Sequence, residues 1–226
     1  MPEKVSVIVT VYDRNELIDR CMESITGQTL SDIEILCISS LEKKNKKCMD
    51  DCCTRDSRVR QIDTSLYMTA AEALNAAIDI AGGEYIAFID TDDYYYEKNA
   101  LELLADACAK NNTDIAGAGI VEVNMFNADV RTQFDGIYSG YVFEKDGVTE
   151  YREYACDYGY KRFLYRRQFL VDNNILFPPF EYMYDNVFIV RAMVAAGRFA
   201  SVSRVLYAQM APRPVVWTDR VANDIL

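Results

Sequence analysis

The residues from Tyr85 to Ile89 constrain this chain more than any other stretch. They form a short, almost wholly apolar run behind a Gly82-Gly83 stop, and they lead without a spacer into Asp90-Thr91-Asp92-Asp93. A run apolar on both sides fits a strand covered on both faces, as in a parallel sheet. Its terminal carboxylates then lie on the carboxyl edge of that sheet, where open α/β sheets bind ligands. Three acids within four residues repel one another, and a cation relieves that cost. A hard divalent metal with oxygen ligands is the candidate. The competing reading is a solvated acidic turn, because Asp-x-Asp is a common pattern. The context decides between them.

The chain before this stretch alternates strand and helix. Val5 to Val11 is nearly all apolar and predicts a buried strand. Asp13 or Asn15 can cap the helix that follows, whose Leu17, Ile18, Cys21, Met22 and Ile25 share one face before Gly27. Ile33 to Ile38 predicts a second buried strand, Lys43 to Cys53 a polar helix, and Val59 to Ile62 a short third strand. Thr69-Ala-Ala-Glu72 has the form of a capping box and opens an Ala-rich helix to Ile80. After the acidic stretch come an amphipathic helix, Glu97 to Lys110, and a strand, Asp114 to Val123. Within that strand Gly117-Ala-Gly119 predicts close packing. This alternation means a parallel sheet with helices on both faces.

Residues 124 to 160 change character. They are rich in Tyr, Phe, Gly and Asp without helical period, and predict loops and short hairpins beside a site. Tyr160 to Asn173 and Asp185 to Ala196 read as helices, and Phe199 to Gln209 as a late strand. With no linker or repeat, one domain over 1–226 is expected, as an excised portion of something longer.

Composition removes whole classes. The net charge is −11, which argues against nucleic acid as a partner. The chain has no His, which excludes Ser-His-Asp and Cys-His catalysis and leaves acid–base work to Asp, Glu, Tyr, Lys or Cys. Its seven Cys without a signal-peptide shape read as reduced thiols, and the Cys48, Cys52, Cys53 cluster lacks the paired spacing of a zinc site. No apolar run approaches the roughly 18 residues of a membrane span. The expected location is the cytoplasm. No G-x-G-x-x-G follows the first strand and no P-loop occurs. Tyr94 and Tyr95 stand where an EF-hand loop needs other residues. Asp90-Thr-Asp92 has the D-x-D form of a haloacid dehalogenase nucleophile, but it follows the fourth strand rather than the first.

Here a resemblance becomes specific. Val5-Ser-Val-Ile-Val-Thr-Val-Tyr12-Asp13, then Leu17 to Ile38, then Ala73-Leu-Asn75 with Ala81 to Asp93, then Lys161 to Phe177, then Tyr184-Asp185-Asn186-Val-Phe188 occur in one order. That ordered set resembles a family 2 glycosyltransferase of GT-A fold, an α/β, Rossmann-like, mostly parallel sheet flanked by helices. The resemblance implies a nucleotide-sugar-binding half, 1–123, and an acceptor and catalytic-base half, 124–226. It implies that Asp90 and Asp92 hold Mn²⁺ or Mg²⁺ and that Asp185 is the general base. Thr10, Val11, Tyr12 and Ser40 would meet the nucleobase, while Asn75, Thr91 and Asp93 would serve the rest of the nucleotide-sugar. The implied reaction is metal-dependent inverting transfer from a nucleotide-sugar, foremost a UDP-sugar, to a glycan or lipid-linked acceptor in cell-surface polysaccharide synthesis. The enzyme would be cytoplasmic, or peripheral at the inner face of the membrane without an integral segment.

Three departures stand against this. Ser39-Ser40 replaces the usual acidic pair after the second strand, Leu74 replaces the usual Arg, and Tyr184 replaces the usual Glu beside the base. They keep open an alternative: a catalytically silent GT-A module that binds a glycan or a protein partner.

Overall fold

Among the described residues, ten strands join in one sheet whose main path runs β3-β2-β1-β4-β9-β6-β10-β5. The computed structural model describes residues 4–11, 15–39, 43–63, 69–124, 129–134, 136–180 and 183–210. The elements in chain order are β1 (Val5–Val11), α1 (Asn15–Thr26), β2 (Ile33–Ser39), α2 (Lys43–Arg55), β3 (Val59–Asp63), α3 (Ala70–Ile80), β4 (Tyr85–Asp90), β5 (Tyr94–Tyr95), α4 (Ala100–Asn111), β6 (Ile115–Val123), β7 (Val130–Arg131), β8 (Gly147–Glu150), α5 (Tyr151–Tyr154), β9 (Phe163–Arg166), α6 (Arg167–Asp172), α7 (Tyr184–Ala196) and β10 (Arg198–Met210).

Strands β1 to β4 pair in parallel, as the two-sided apolar character of β1, β2 and β4 requires, with the more polar β3 at the edge. Along β4, Tyr85, Ala87 and Ile89 enter the core on one face of the sheet. Ile86 and Phe88 enter the core on the other. Asp90 continues the phase of Phe88. The capping box is formed: Thr69 Oγ1 accepts from the Glu72 N–H, and the Glu72 carboxylate accepts from the Thr69 N–H. The helix expected from Glu97 begins at Ala100 instead, because Gln28 holds the turn before it, donating to the Glu97 carbonyl and accepting from the Leu101 N–H.

The helix expected over Tyr160 to Asn173 is not one helix. It is a 3-10 turn at Tyr160–Arg162, then β9, then the short α6. The reason is a period of two: Phe163 and Tyr165 pack into the core on one face, and Leu164 into the core on the other. Strand β9 lies antiparallel between β4 and β6. Gly117 makes room for it, since a Cβ there would lie 2.1 Å from a Phe163 ring atom. Strand β10 then resumes parallel pairing on β6. The described residues between 124 and 160 are short pieces, β7, β8, α5 and a 3-10 turn at Gly136–Tyr141, as expected of a loop-rich region.

Candidate active site

The sheet brings the ends of β1 and β4 together. Thr10 faces Asp90 in the parallel register, and the Thr91 N–H donates to the Thr10 carbonyl at 3.1 Å. The chain then turns, with the Asp93 N–H on the Asp90 carbonyl at 3.0 Å. The turn gathers ligand oxygens of Asp90, Asp92 and Asp93 within 4.8 Å of one another.

The three carboxylates have different surroundings. Asp93 is 2% exposed and both its oxygens are taken. Its Oδ1 accepts from the Met210 N–H at 2.9 Å, and its Oδ2 accepts from the Tyr207 hydroxyl at 2.7 Å and Lys161 Nζ at 2.9 Å. Asp90 Oδ2 accepts a second bond from Lys161. Asp90 Oδ1 is buried and has no hydrogen-bond partner among the described residues. Burial pushes the Asp90 carboxyl up to about 6, against the pull of Lys161 and with a push from Asp93 and Asp92. Burial also works to depress the Lys161 ammonium, but Asp90 and Asp93 overcome it and hold it well above the usual lysine range. Lys161 is therefore charged. Among the described residues these three carboxylates meet the Lys161 ammonium and, through the Asp92 carbonyl, the Arg20 guanidinium, so negative charge is in excess when all are ionised. An orphaned carboxylate oxygen in an all-oxygen set with negative charge in excess fits Mg²⁺ or Mn²⁺.

Arg20, on α1, braces the turn from the other side. Its Nη2 donates to the Asp92 carbonyl at 2.8 Å, and its guanidinium lies 4.4 Å from the centre of the Tyr94 ring. Tyr95 is buried against Tyr207 at 6.1 Å between ring centres.

Asp185 is the second residue of α7. The helix is capped by Met183 in a left-handed conformation with no side-chain cap bond, so Asp185 does not serve as the N-cap. An aromatic cluster ties this turn to the end of β4. Phe188 stacks on Phe177 at 3.9 Å and meets Phe88 edge-on at 5.6 Å. Tyr160, next to Lys161, meets Phe188 at 6.1 Å. Phe88 shares its face of the sheet with Asp90, so α7 covers the face toward which Asp90 points.

The other expected positions divide. Thr10 is partly buried at the edge of β1, and Val11 and Thr91 are buried. Tyr12 and Ser40 lie outside the described residues. Asn75 spends its amide on the backbone of Phe177, donating to its carbonyl and accepting from its N–H, both at 2.9 Å. Leu74, where an Arg would be usual, is buried in the core. Sequence reasoning assigned no role to Lys161, Arg20 or Tyr207 individually. Lys161 heads a matched motif, but its contact with Asp90 is visible only once β9 is seen beside β4.

The profile described as glycosyl transferase family 2 matches residues 6–177. The chain belongs to this family. Among its relatives, EpsJ of Bacillus subtilis (strain 168), named an uncharacterized glycosyltransferase, is 30% identical over 210 residues, covering 90% of this chain and 60% of that protein. WfaP of Escherichia coli, named a UDP-Glc:alpha-D-GlcNAc-diphosphoundecaprenol beta-1,3-glucosyltransferase, is 37% identical over 94 residues, 41% of this chain and 37% of that protein. The chain thus spans less than two thirds of the relatives it matches. In structure it is similar to S. aureus TarS solved with UDP-GlcNAc, with a TM-score of 0.75 and 19% identity over 94% of this chain and 60% of that one. That likeness shows the fold, and the fold of this family 2 chain is GT-A.

Proposed function

We propose that this chain is the catalytic domain of a metal-dependent, inverting glycosyltransferase. It moves a sugar from a UDP-sugar to a hydroxyl of a glycan or lipid-linked acceptor in cell-surface polysaccharide synthesis. The observation that carries this reading is the carboxylate edge itself: a buried Asp90 Oδ1, orphaned among the described residues, in a set of three gathered acids. Asp92 and the open oxygen of Asp90 would hold Mn²⁺ or Mg²⁺, which supplies positive charge to a diphosphate leaving group.

The chain's own residues take the other roles. Asp185 accepts the proton of the acceptor hydroxyl as it attacks the anomeric carbon from the face opposite the diphosphate. Thr10, Val11, Tyr12 and Ser40 form the nucleobase side at the ends of β1 and β2, and Thr91 fixes the turn by its bond to Thr10. Asp93 acts as a positioning residue, because its carboxylate is spent on Lys161, Tyr207 and Met210. Asn75 does likewise through Phe177. The choice of UDP is supported by the donors in the names of WfaP and the TarS complex. No helix among the described residues is long and apolar enough to cross a membrane. A lipid-linked acceptor would bring the domain to the inner face of the membrane as a peripheral partner.

The silent-module reading draws on Leu74, whose place in the core offers no cation to a diphosphate. Turnover separates the two. UDP release from a panel of UDP-sugars with glycan and lipid-linked acceptors should need Mn²⁺ or Mg²⁺ and stop in EDTA. Asp185→Asn should lower turnover about 10²–10⁴-fold while UDP binding persists. Glycan binding with no turnover of any nucleotide-sugar would select the silent module.

A further inference from the structure

Lys161 reaches the acidic edge from the turn before β9 and bonds Asp90 Oδ2 and Asp93 Oδ2. Its side chain is 16% exposed, close to that of Asp90 at 14% and above that of Asp93 at 2%. Of its three N–H groups, two have these acceptors, and the third has none among the described residues. Asp93 is held independently by Tyr207 and Met210. Asp90 is not: among the described residues its side chain has Lys161 on one oxygen and no partner on the other. The ammonium therefore neutralises part of the charge a divalent metal would neutralise, and at the same carboxylate. A nucleoside diphosphate is the natural competitor for an ammonium in this place, since it offers denser negative charge and more acceptor oxygens than one carboxylate. Leu74 supplies no cation for that diphosphate, whereas Lys161 is at hand.

We propose that Lys161 is a resident counter-ion of the metal site, which holds Asp90 until a donor diphosphate draws the ammonium onto its own phosphate oxygens and frees Asp90 for the metal. This rests on the metal assignment proposed above. Its consequence is that metal and donor bind together. Metal alone must displace or tolerate a buried ammonium, and metal with diphosphate does not. By linkage, the donor gains from the metal the same factor that the metal gains from the donor.

The test is a titration of Mn²⁺ followed by electron paramagnetic resonance of the free ion, with and without UDP. It uses the wild-type chain, Lys161→Met and Lys161→Arg, each first shown to be folded by circular dichroism and thermal unfolding. Wild type should bind Mn²⁺ weakly alone and at least tenfold more tightly with UDP. Lys161→Met removes the buried charge, so its affinity for Mn²⁺ alone should rise about tenfold or more. Its further gain from UDP should fall below that of wild type, keeping only the direct attraction between metal and diphosphate. Lys161→Arg keeps the charge and should keep most of the coupling, which serves as the informative variant if Lys161→Met does not fold. The inference alone is overturned if wild type shows UDP-coupled Mn²⁺ binding while Lys161→Met binds Mn²⁺ alone no better, or gains as much from UDP as wild type. It is equally overturned if Lys161→Met does not fold and Lys161→Arg loses the coupling. No Mn²⁺ binding by any variant, with or without UDP, would remove the metal assignment and this inference with it.

Discussion

Lys161 and Arg162 are neighbours in sequence and opposites in surroundings. A 3-10 turn sends adjacent side chains about 120° apart, so the two cations leave it in different directions. Lys161 meets two carboxylates at the sheet edge. Arg162 is 2% exposed and meets no carboxylate among the described residues. Its guanidinium donates to the Ala118 carbonyl at 3.0 Å, the Gly140 carbonyl at 2.5 Å and the Tyr154 hydroxyl. The rings of Phe163, Phe143, Tyr141 and Tyr154 surround it at 4.8–5.7 Å. Burial pulls this guanidinium below its usual range. Backbone dipoles and ring faces offset that cost, although its Nε is buried with no hydrogen-bond partner among the described residues. The edge around Lys161 has the opposite balance, an excess of negative charge with one oxygen unpartnered. One cation closes the fold between β6, β9 and the 136–154 segment, while the other leaves the edge in need of a partner.

This contrast is open to direct attack. Arg162→Ala should cause the largest loss of stability, about 3–5 kcal/mol, by opening a cavity and removing a donor from the Ala118 and Gly140 carbonyls. Metal-dependent UDP affinity per folded molecule should persist, as chemical denaturation and calorimetry of the same sample would show. Asp93→Asn should cost about 2–3 kcal/mol, because it breaks charge-assisted bonds at a buried site. Unlike Arg162→Ala, it should also weaken metal-dependent UDP binding, by removing one negative charge from the edge and leaving Lys161 to Asp90 alone. Gly117→Ala should cost about 1–3 kcal/mol, since the added methyl must push the Phe163 ring that lines the Arg162 cage. Thr69→Ala should cost about 1 kcal/mol through loss of the helix cap and leave both regions unchanged, which makes it the control for destabilisation alone.

The two regions were also unequally legible from the residues. The N-terminal half follows from local rules. Two-sided apolar runs gave β1, β2 and β4, and Thr69 with Glu72 gave the start of α3, because each signal lies within its own element. The end of β4 was legible as an acidic edge because Asp90 to Asp93 are consecutive. The Arg162 cage was not, because its parts come from Ala118, Gly140, Tyr154 and Phe163, which no spacing rule joins. Strand β9 was misread as helix. Four residues, Phe163 to Arg166, are too short for a period of two to stand out between a 3-10 turn and a helix. The antiparallel insertion of β9 between β4 and β6 then hid Lys161, whose partners are 71 and 68 residues away in the chain. Asn75 shows the reverse case: a motif position marked for a ligand is occupied by a tie to Phe177.

The central claim is that Asp90 and Asp92 form a metal-dependent donor site, and calorimetric titration of UDP tests it most directly. It should be run with Mn²⁺ and with EDTA, on the wild-type chain and on Asp92→Ala. The account predicts binding with Mn²⁺ that weakens about tenfold or more both in EDTA and in Asp92→Ala. Equal binding under all four conditions, or no binding with Mn²⁺ in the wild type, would contradict it.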